Sequence, residues 1–172
     1  MKKENEIKIT NQDGSLDSID LHLLQILQSD ASASNQDLAA LVHVSPPTCL
    51  RRIKRLHSLG LIERQVAILQ PDRMRSITGA GLTAIVEITL TEQTEEVIRA
   101  CEERLTLSSA VQQCYRTSPG PDLIAIVQVL DMPAYHALAQ QLFTQDAHIR
   151  NVRVFFATSR SKFSTALNWL NA

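Results

Sequence analysis

The stretch Asn35 to Leu61, NQDLAALVHVSPPTCLRRIKRLHSLGL, decides how the chain is read. Ser34, just before it, can accept from the free backbone N–H groups at the start of a helix, and Asp37 stands at the third helical position, which is the form of a capping box. Leu38, Ala39, Leu41 and Val42 recur at helical spacing and give this helix one apolar side. His43 and Val44 break the pattern, and a tight corner follows. Such corners favour glycine at the His43 position, where φ is positive; histidine tolerates the region at a strain of roughly 1 kcal/mol. Ser45 is expected to cap a second helix, because Pro46 drives its predecessor out of the α region and itself suits the first helical position. Gly60 offers the left-handed residue that ends this helix, with Leu61 folding back on Leu56 as in a Schellman motif.

Along the second helix Cys49, Ile53 and Leu56 share one side, while Thr48, Arg51, Arg52, Lys54 and Arg55 take the remaining surface. The spacing predicts apolar residues inward and basic residues outward. A solvated amphipathic helix is the plain alternative. The order of a short helix, a tight corner and a capped basic helix instead matches a helix-turn-helix, whose second helix enters the major groove of DNA. Ser45, Pro46 and Thr48 would then lie nearest the groove floor, with Arg51, Arg52, Lys54 and Arg55 divided between bases and phosphates.

With 17 basic and 18 acidic residues the chain carries a net charge of −1, so no global basic field holds nucleic acid and DNA affinity must come from the cluster at 51–55. Cys49, Cys101 and Cys114 are an odd number, widely spaced and without a C-x-x-C, which suggests neither a disulfide framework nor a zinc site and fits a reducing cytoplasm. His22, His43, His57, His136 and His148 are scattered without metal-ligand spacing. No catalytic constellation, cofactor motif, signal peptide or membrane span is expected.

Residues 1–15 mix three lysines with three acidic residues and read as a mobile arm, with a short strand open at Ile7 and Ile9. Asp17 can cap a first helix, Leu16 and Leu21 can form a hydrophobic staple, and Ile19, Leu23, Ile26 and Leu27 make its apolar stripe. Three short helices can share a core that none could bury alone. Ile62 to Gln70 alternates loosely and predicts a strand or wing, completing a helix-turn-helix domain over 16–70. Residues 71–82, with Pro71, Gly79 and Gly81 and little periodicity, read as a hinge. From 83 to 157 the periods run strand (Ala84–Leu90), helix (with Thr94 as cap), strand (Val111–Thr117), strand (Asp122–Leu130), helix (Met132–Phe143) and strand (Ile149–Ala157). That is βαββαβ, the ferredoxin-like order, so the class is α+β, a winged helix-turn-helix joined to a ferredoxin-like domain. One sheet face would be covered by the two helices. The other, with the apolar run Leu123 to Val129 and Phe155 and Phe156, needs a partner, which predicts a dimer. Residues 158–172 form an extension whose amphipathic stretch, Phe163, Ala166, Leu167 and Leu170, has no assigned role.

Leu16-Asp17-Ser18-Ile19-Asp20, Leu38-Ala39 and SPPTCLRRIKRL ending in Gly60-Leu61-Ile62 resemble the DNA-binding domain of the Lrp/AsnC, or feast/famine, transcription regulators. Glu87-Ile88-Thr89-Leu90 and Asp131-Met132-Pro133-Ala134-Tyr135 extend the resemblance over about Leu16 to Phe156. It implies a DNA-binding transcription regulator modulated by an amino acid or similar small effector, built from dimers that assemble further, commonly into rings of four. The family's loop Gly-Asp-x-Asp, which helps bind the effector, corresponds to Ser118-Pro119-Gly120-Pro121-Asp122. The second aspartate is kept; the first glycine and first aspartate are replaced. Ser118, Gly120 and Asp122 are therefore the candidate effector residues, with Asp122 pairing the ligand's ammonium or, alternatively, only closing the turn. The competing function is a tetrapyrrole (siroheme-type) decarboxylase with the same two-domain plan, which Cys114-Tyr115-Arg116 faintly resembles, although the expected neighbouring histidine and Trp-Asn context are missing.

Overall fold

The computed structural model describes residues 15–79 and 81–168. The expected arm up to Gly14, with Ile7 and Ile9, and Leu170 of the terminal stretch lie outside the described residues. The chain forms two units, one of residues up to Ala67 together with the segment from Lys162, the other of Ile68–Ser161.

The first unit is three helices, α1 (Ser18–Ser29), α2 (Asn35–Leu41) and α3 (Pro46–Ser58). Asp17 and Ser34 cap α1 and α2 through reciprocal capping boxes with Asp20 and Asp37. His43 adopts φ 54° at the corner, and Gly60, at φ 70°, ends α3 with Leu61 N–H donating to Leu56 C=O at 3.1 Å. This is the Schellman pattern. Ser45 stands at the cap of α3 but does not cap it through its side chain; its hydroxyl bonds Thr48 Oγ1 at 2.9 Å. Leu23, Leu38, Ala39, Val42, Cys49 and Leu56 close the core, and Leu16, Ile19, Ile26, Leu27 and Ile53 pack around it.

Two expectations need correction. Residues 62–70 form no strand and no wing. A strand needs an edge to pair with, and Val66, Ile68 and Leu69 instead stand exposed. The expected hinge contains a helix, α4 (Pro71–Thr78), started by Pro71 and ended by Gly79 at φ 68°. It was illegible because no apolar stripe marks it: Met74 and Ile77 are exposed, and Gln70 makes no cap bond. The terminal segment also does not stand apart, since Leu167 N–H donates to Gln28 Oε1 at 2.8 Å in the first unit.

The second unit runs β1 (Leu82–Leu90), α5 (Glu95–Leu107), β2 (Val111–Arg116), β3 (Leu123–Val129), α6 (Met132–Ala139) and β4 (Ile149–Phe156), with a π-helical turn, Gln140–Thr144, prolonging α6. The antiparallel sheet has the order β2-β3-β1-β4. Ala84, Val86, Ile88, Leu123, Ala125 and Val127 face the helices and meet Cys101, Leu105, Tyr135, Leu142 and Phe143. On the opposite face the register aligns Gln113, Ile126, Ile85 and Phe155 in one row and Tyr115, Ile124, Glu87 and Arg153 in the next. Ile85, Tyr115 and Phe155 are exposed there. Phe156 does not belong to that face. It packs edge-on against Tyr135, with centroids 5.1 Å apart.

The turn between β2 and β3 is tied to the sheet by Asp122. Its buried carboxylate accepts from Leu90 N–H at 2.7 Å and from Gln93 Nε2 at 2.8 Å, while its own N–H donates to Ile88 C=O at 2.9 Å. Asp122→Ala leaves the Leu90 donor without this acceptor, an expected loss of about 1–3 kcal/mol. Urea unfolding should show a lower midpoint at unchanged slope; an unchanged midpoint would show that the carboxylate anchors nothing.

Candidate nucleic-acid interface

Helix α3 turns about 100° per residue, so Arg51 and Lys54 stand about 160° and 140° from the buried Cys49, whereas Arg52 stands only about 60° from it. Arg51 and Lys54 are accordingly exposed and Arg52 is half-buried. Pro46 and Pro47 start the helix, and Ser45 and Thr48 are joined by their hydroxyls at its N-terminal end. Asn35 Nδ2, at the start of α2, donates to Pro46 C=O at 2.9 Å and sets the corner between the two helices.

The expectation that all four basic side chains point outward is corrected. Arg52 Nη1 lies 2.8 Å from Asp20 Oδ1 and 2.8 Å from Asp17 Oδ2, and Arg55 Nη1 lies 2.9 Å from Asp20 Oδ2. Asp20 is 1% exposed. Burial pushes the Asp17 carboxyl up, but the Asp20 N–H and the Arg52 guanidinium outweigh this and hold it below the usual carboxylate range. Hydrogen bonds that the Arg52 guanidinium donates to Asp20 and then to Asp17 in turn hold it above its ordinary value. The sequence marks Asp17 as a cap and does not by itself single out Asp20. The available signal was the pairing of two i,i+3 spacings, Asp17 with Asp20 and Arg52 with Arg55, on helices expected to cross.

In the second unit Ser118 and Gly120 are exposed, while Asp122 is buried beneath them. Gly120 adopts φ 129°, which favours glycine, and Ser118–Pro119 is a cis peptide. Both Asp122 oxygens are engaged within the unit, so the three residues share one turn but do not present three ligand groups.

Cys114, Tyr115 and Arg116 do not converge. Cys114 and Arg116 lie on the helix side of β2, where burial raises the Cys114 thiol and Arg116 pairs with Glu95 and Glu102. Tyr115 lies on the opposite face, donating to Gln113 Oε1. Among the described residues no three His, Cys, Asp or Glu side chains are grouped to hold a metal, and no helix is long and apolar enough to cross a membrane.

Comparison with known proteins agrees with this geometry. Residues 16–57 match the AsnC-type helix-turn-helix domain, and residues 83–167 match the Lrp/AsnC ligand binding domain. The leucine-responsive regulatory protein of Haemophilus influenzae is 30% identical over 162 residues, covering 94% of this chain and 95% of the relative. The crystal structure of an AsnC family transcriptional regulator from Agrobacterium tumefaciens superposes with a TM-score of 0.77 at 31% identity, over 88% of this chain and 96% of that one. A transcriptional regulator from Neisseria meningitidis, solved as a complex with L-Met, shares the fold with a TM-score of 0.77 at 23% identity, over the same 88% and 96%. With both of its units matched in order, the chain belongs to the Lrp/AsnC family.

Proposed function

We propose that this chain is a sequence-specific DNA-binding transcriptional regulator that contacts duplex DNA through the exposed side of α3 and is modulated by an amino acid or similar small effector. The observation that carries the reading is α3 itself: started by Pro46 and Pro47, anchored inward by Cys49 and Leu56, and presenting Arg51 and Lys54 outward. Ser45, Pro46 and Thr48 supply the N-terminal end that approaches the groove floor. Arg52 and Arg55 act mainly through Asp20, setting the helix rather than reading the DNA. A cytoplasmic location follows from this role.

The uncovered sheet face supports assembly. Ile85, Ile126 and Phe155 in one row and Tyr115 and Ile124 in the next leave a contiguous apolar patch that a second copy of the same sheet would bury, giving a dimer as the unit of any larger, even-numbered assembly. The effector site belongs to the turn Ser118–Asp122. Its support is the match to a ligand-binding domain and the L-Met complex of a protein with this fold. Asp122, fixed from below, shapes the turn, and Ser118 and the exposed backbone around Gly120 offer the polar contacts. An effector changes DNA binding only through its differential affinity for two states of the assembly.

Arg51→Ala and Lys54→Ala test the DNA surface. Each is expected to cost about 1–3 kcal/mol if it reaches a base edge, or to lower the salt slope by about 1 if it contacts phosphate. Gel shifts on the promoter regions of its own and neighbouring genes, over a salt series, provide the readout; unchanged affinity and slope in both folded variants would remove α3 from the interface. For the effector, the full chain is titrated calorimetrically with the common amino acids and its sedimentation followed alongside. At least one should bind and change the size distribution of an even-numbered assembly, and Ser118→Trp should abolish both. No heat with any amino acid, or a native chain that sediments as a monomer, contradicts the proposal.

A further inference from the structure

We infer that Asp20, seconded by Asp17, is a built-in counterion that withholds Arg52 and Arg55 from DNA phosphates and so makes Asp20 a determinant of DNA specificity. The inference rests on the reading of α3 as the DNA-contacting helix and extends it to a residue of α1.

The starting point is a charge count on one helix. Residues 51–55 place four cations on less than two turns, in a chain whose net charge is −1. Non-specific affinity is governed by how many of these cations can replace counterions on the phosphates. Arg52 and Arg55 are held by the Asp20 carboxylate at 2.8 and 2.9 Å, and Arg52 is also 2.8 Å from Asp17. Two carboxylates thus answer two guanidiniums, and Arg51 and Lys54 remain as the outward charge of α3. Arg55 stands only about 20° around the helix from Thr48, on the flank of the groove-facing end, and its side chain is partly exposed. With a duplex on that end its long stem would let the guanidinium reach a phosphate, and the tie to Asp20 decides where its charge goes.

A phosphate could in principle take these guanidiniums over. Burial decides against it. Asp20 is 1% exposed, so removing its partners leaves a desolvated carboxylate uncompensated, whereas a phosphate that fails to gain Arg52 keeps its water and its counterion. The exchange therefore runs against DNA at both operator and non-specific sites. Because the clamp also fixes the rotation of α3 about its axis, the two remaining cations and the hydroxyls of Ser45 and Thr48 arrive in one register. Non-specific affinity is reduced and base readout is kept.

The test uses the full chain and two duplexes of equal length: the tightest-binding fragment from the region upstream of its own gene, and a scrambled version of it. Fluorescence anisotropy over a salt series gives affinity and slope for each. Asp20→Asn keeps the side-chain shape and an acceptor oxygen but removes the charge. It is expected to raise affinity for the scrambled duplex several-fold, to steepen its salt slope by about 0.9 for each arginine released, and to lower the ratio of specific to non-specific binding. Adding Arg52→Gln removes one of the two released charges and should return the slope about half of the way to native. A purely structural role for Asp20 predicts the opposite, with both affinities falling together at unchanged slope. If Asp20→Asn does not fold, Asp17→Asn, which removes one partner of Arg52 at a more exposed position, decides: a smaller rise in the same direction supports the inference, and an unchanged or shallower slope overturns it. Arg51→Ala and Lys54→Ala separate the two levels, since loss of binding there with no change in the Asp20 or Asp17 variants refutes only the counterion role, while no effect of either refutes the DNA-contacting reading of α3.

Discussion

A carboxylate that water cannot reach must be satisfied by the chain, and in the first unit Asp20 is satisfied by two arginines from α3. The desolvation cost of such a group is several kcal/mol if its partners are lost. Hydrophobic packing of Leu23, Cys49 and Leu56 holds the helices together but is tolerant of small rotations. Hydrogen bonds of 2.8 and 2.9 Å to one fixed carboxylate are not. The apolar core thus supplies cohesion, and the ionic contact supplies orientation, which is the property a groove-reading helix needs.

The second unit uses a similar device for another purpose. Asp122 and Asp20 are the buried charged side chains among the described residues, and each lies at the edge of a surface to which a function is proposed. Asp122 ties the Ser118–Asp122 turn to the end of β1 through Leu90 and Gln93, so the exposed part of the turn is held against a rigid sheet. The aspartate identified from the family pattern therefore acts chiefly as an anchor in this chain, which leaves Ser118 and the backbone around Gly120 as the proposed effector contacts. The same sheet leaves one face uncovered, and its cross-strand rows give that face an apolar centre beside the Glu87–Arg153 pair at 3.4 Å.

Local signals in the sequence were read well where they are chemically specific. Ser34 with Asp37, Asp17 as a cap, Thr94, Gly60 and the positive φ of His43 each act through one or two neighbours, and the structure places each as expected. The βαββαβ order was legible because a period of two and a period of 3.6 alternate clearly between residues 83 and 157. What could not be read depends on partners distant in sequence. The inward turn of Arg52 needs Asp20, 32 positions away. The engagement of Asp122 needs Leu90, again 32 positions away. Helix α4 is not legible because it buries no stripe, and residues 62–70 suggest a wing they do not form because loose alternation cannot say whether a pairing edge exists. The capping role of Ser45 failed for a local reason: Thr48 offers its hydroxyl a side-chain partner.

The account turns on which arginines of α3 meet DNA, and side-chain NMR can observe this atom by atom. Nε–Hε resonances of the full chain, followed as operator duplex is added, should shift strongly for Arg51 and remain near their free positions for Arg52, with the Arg52–Asp20 contact intact in the complex. A strong shift of Arg52 on DNA binding, with Arg51 unmoved, would contradict the account.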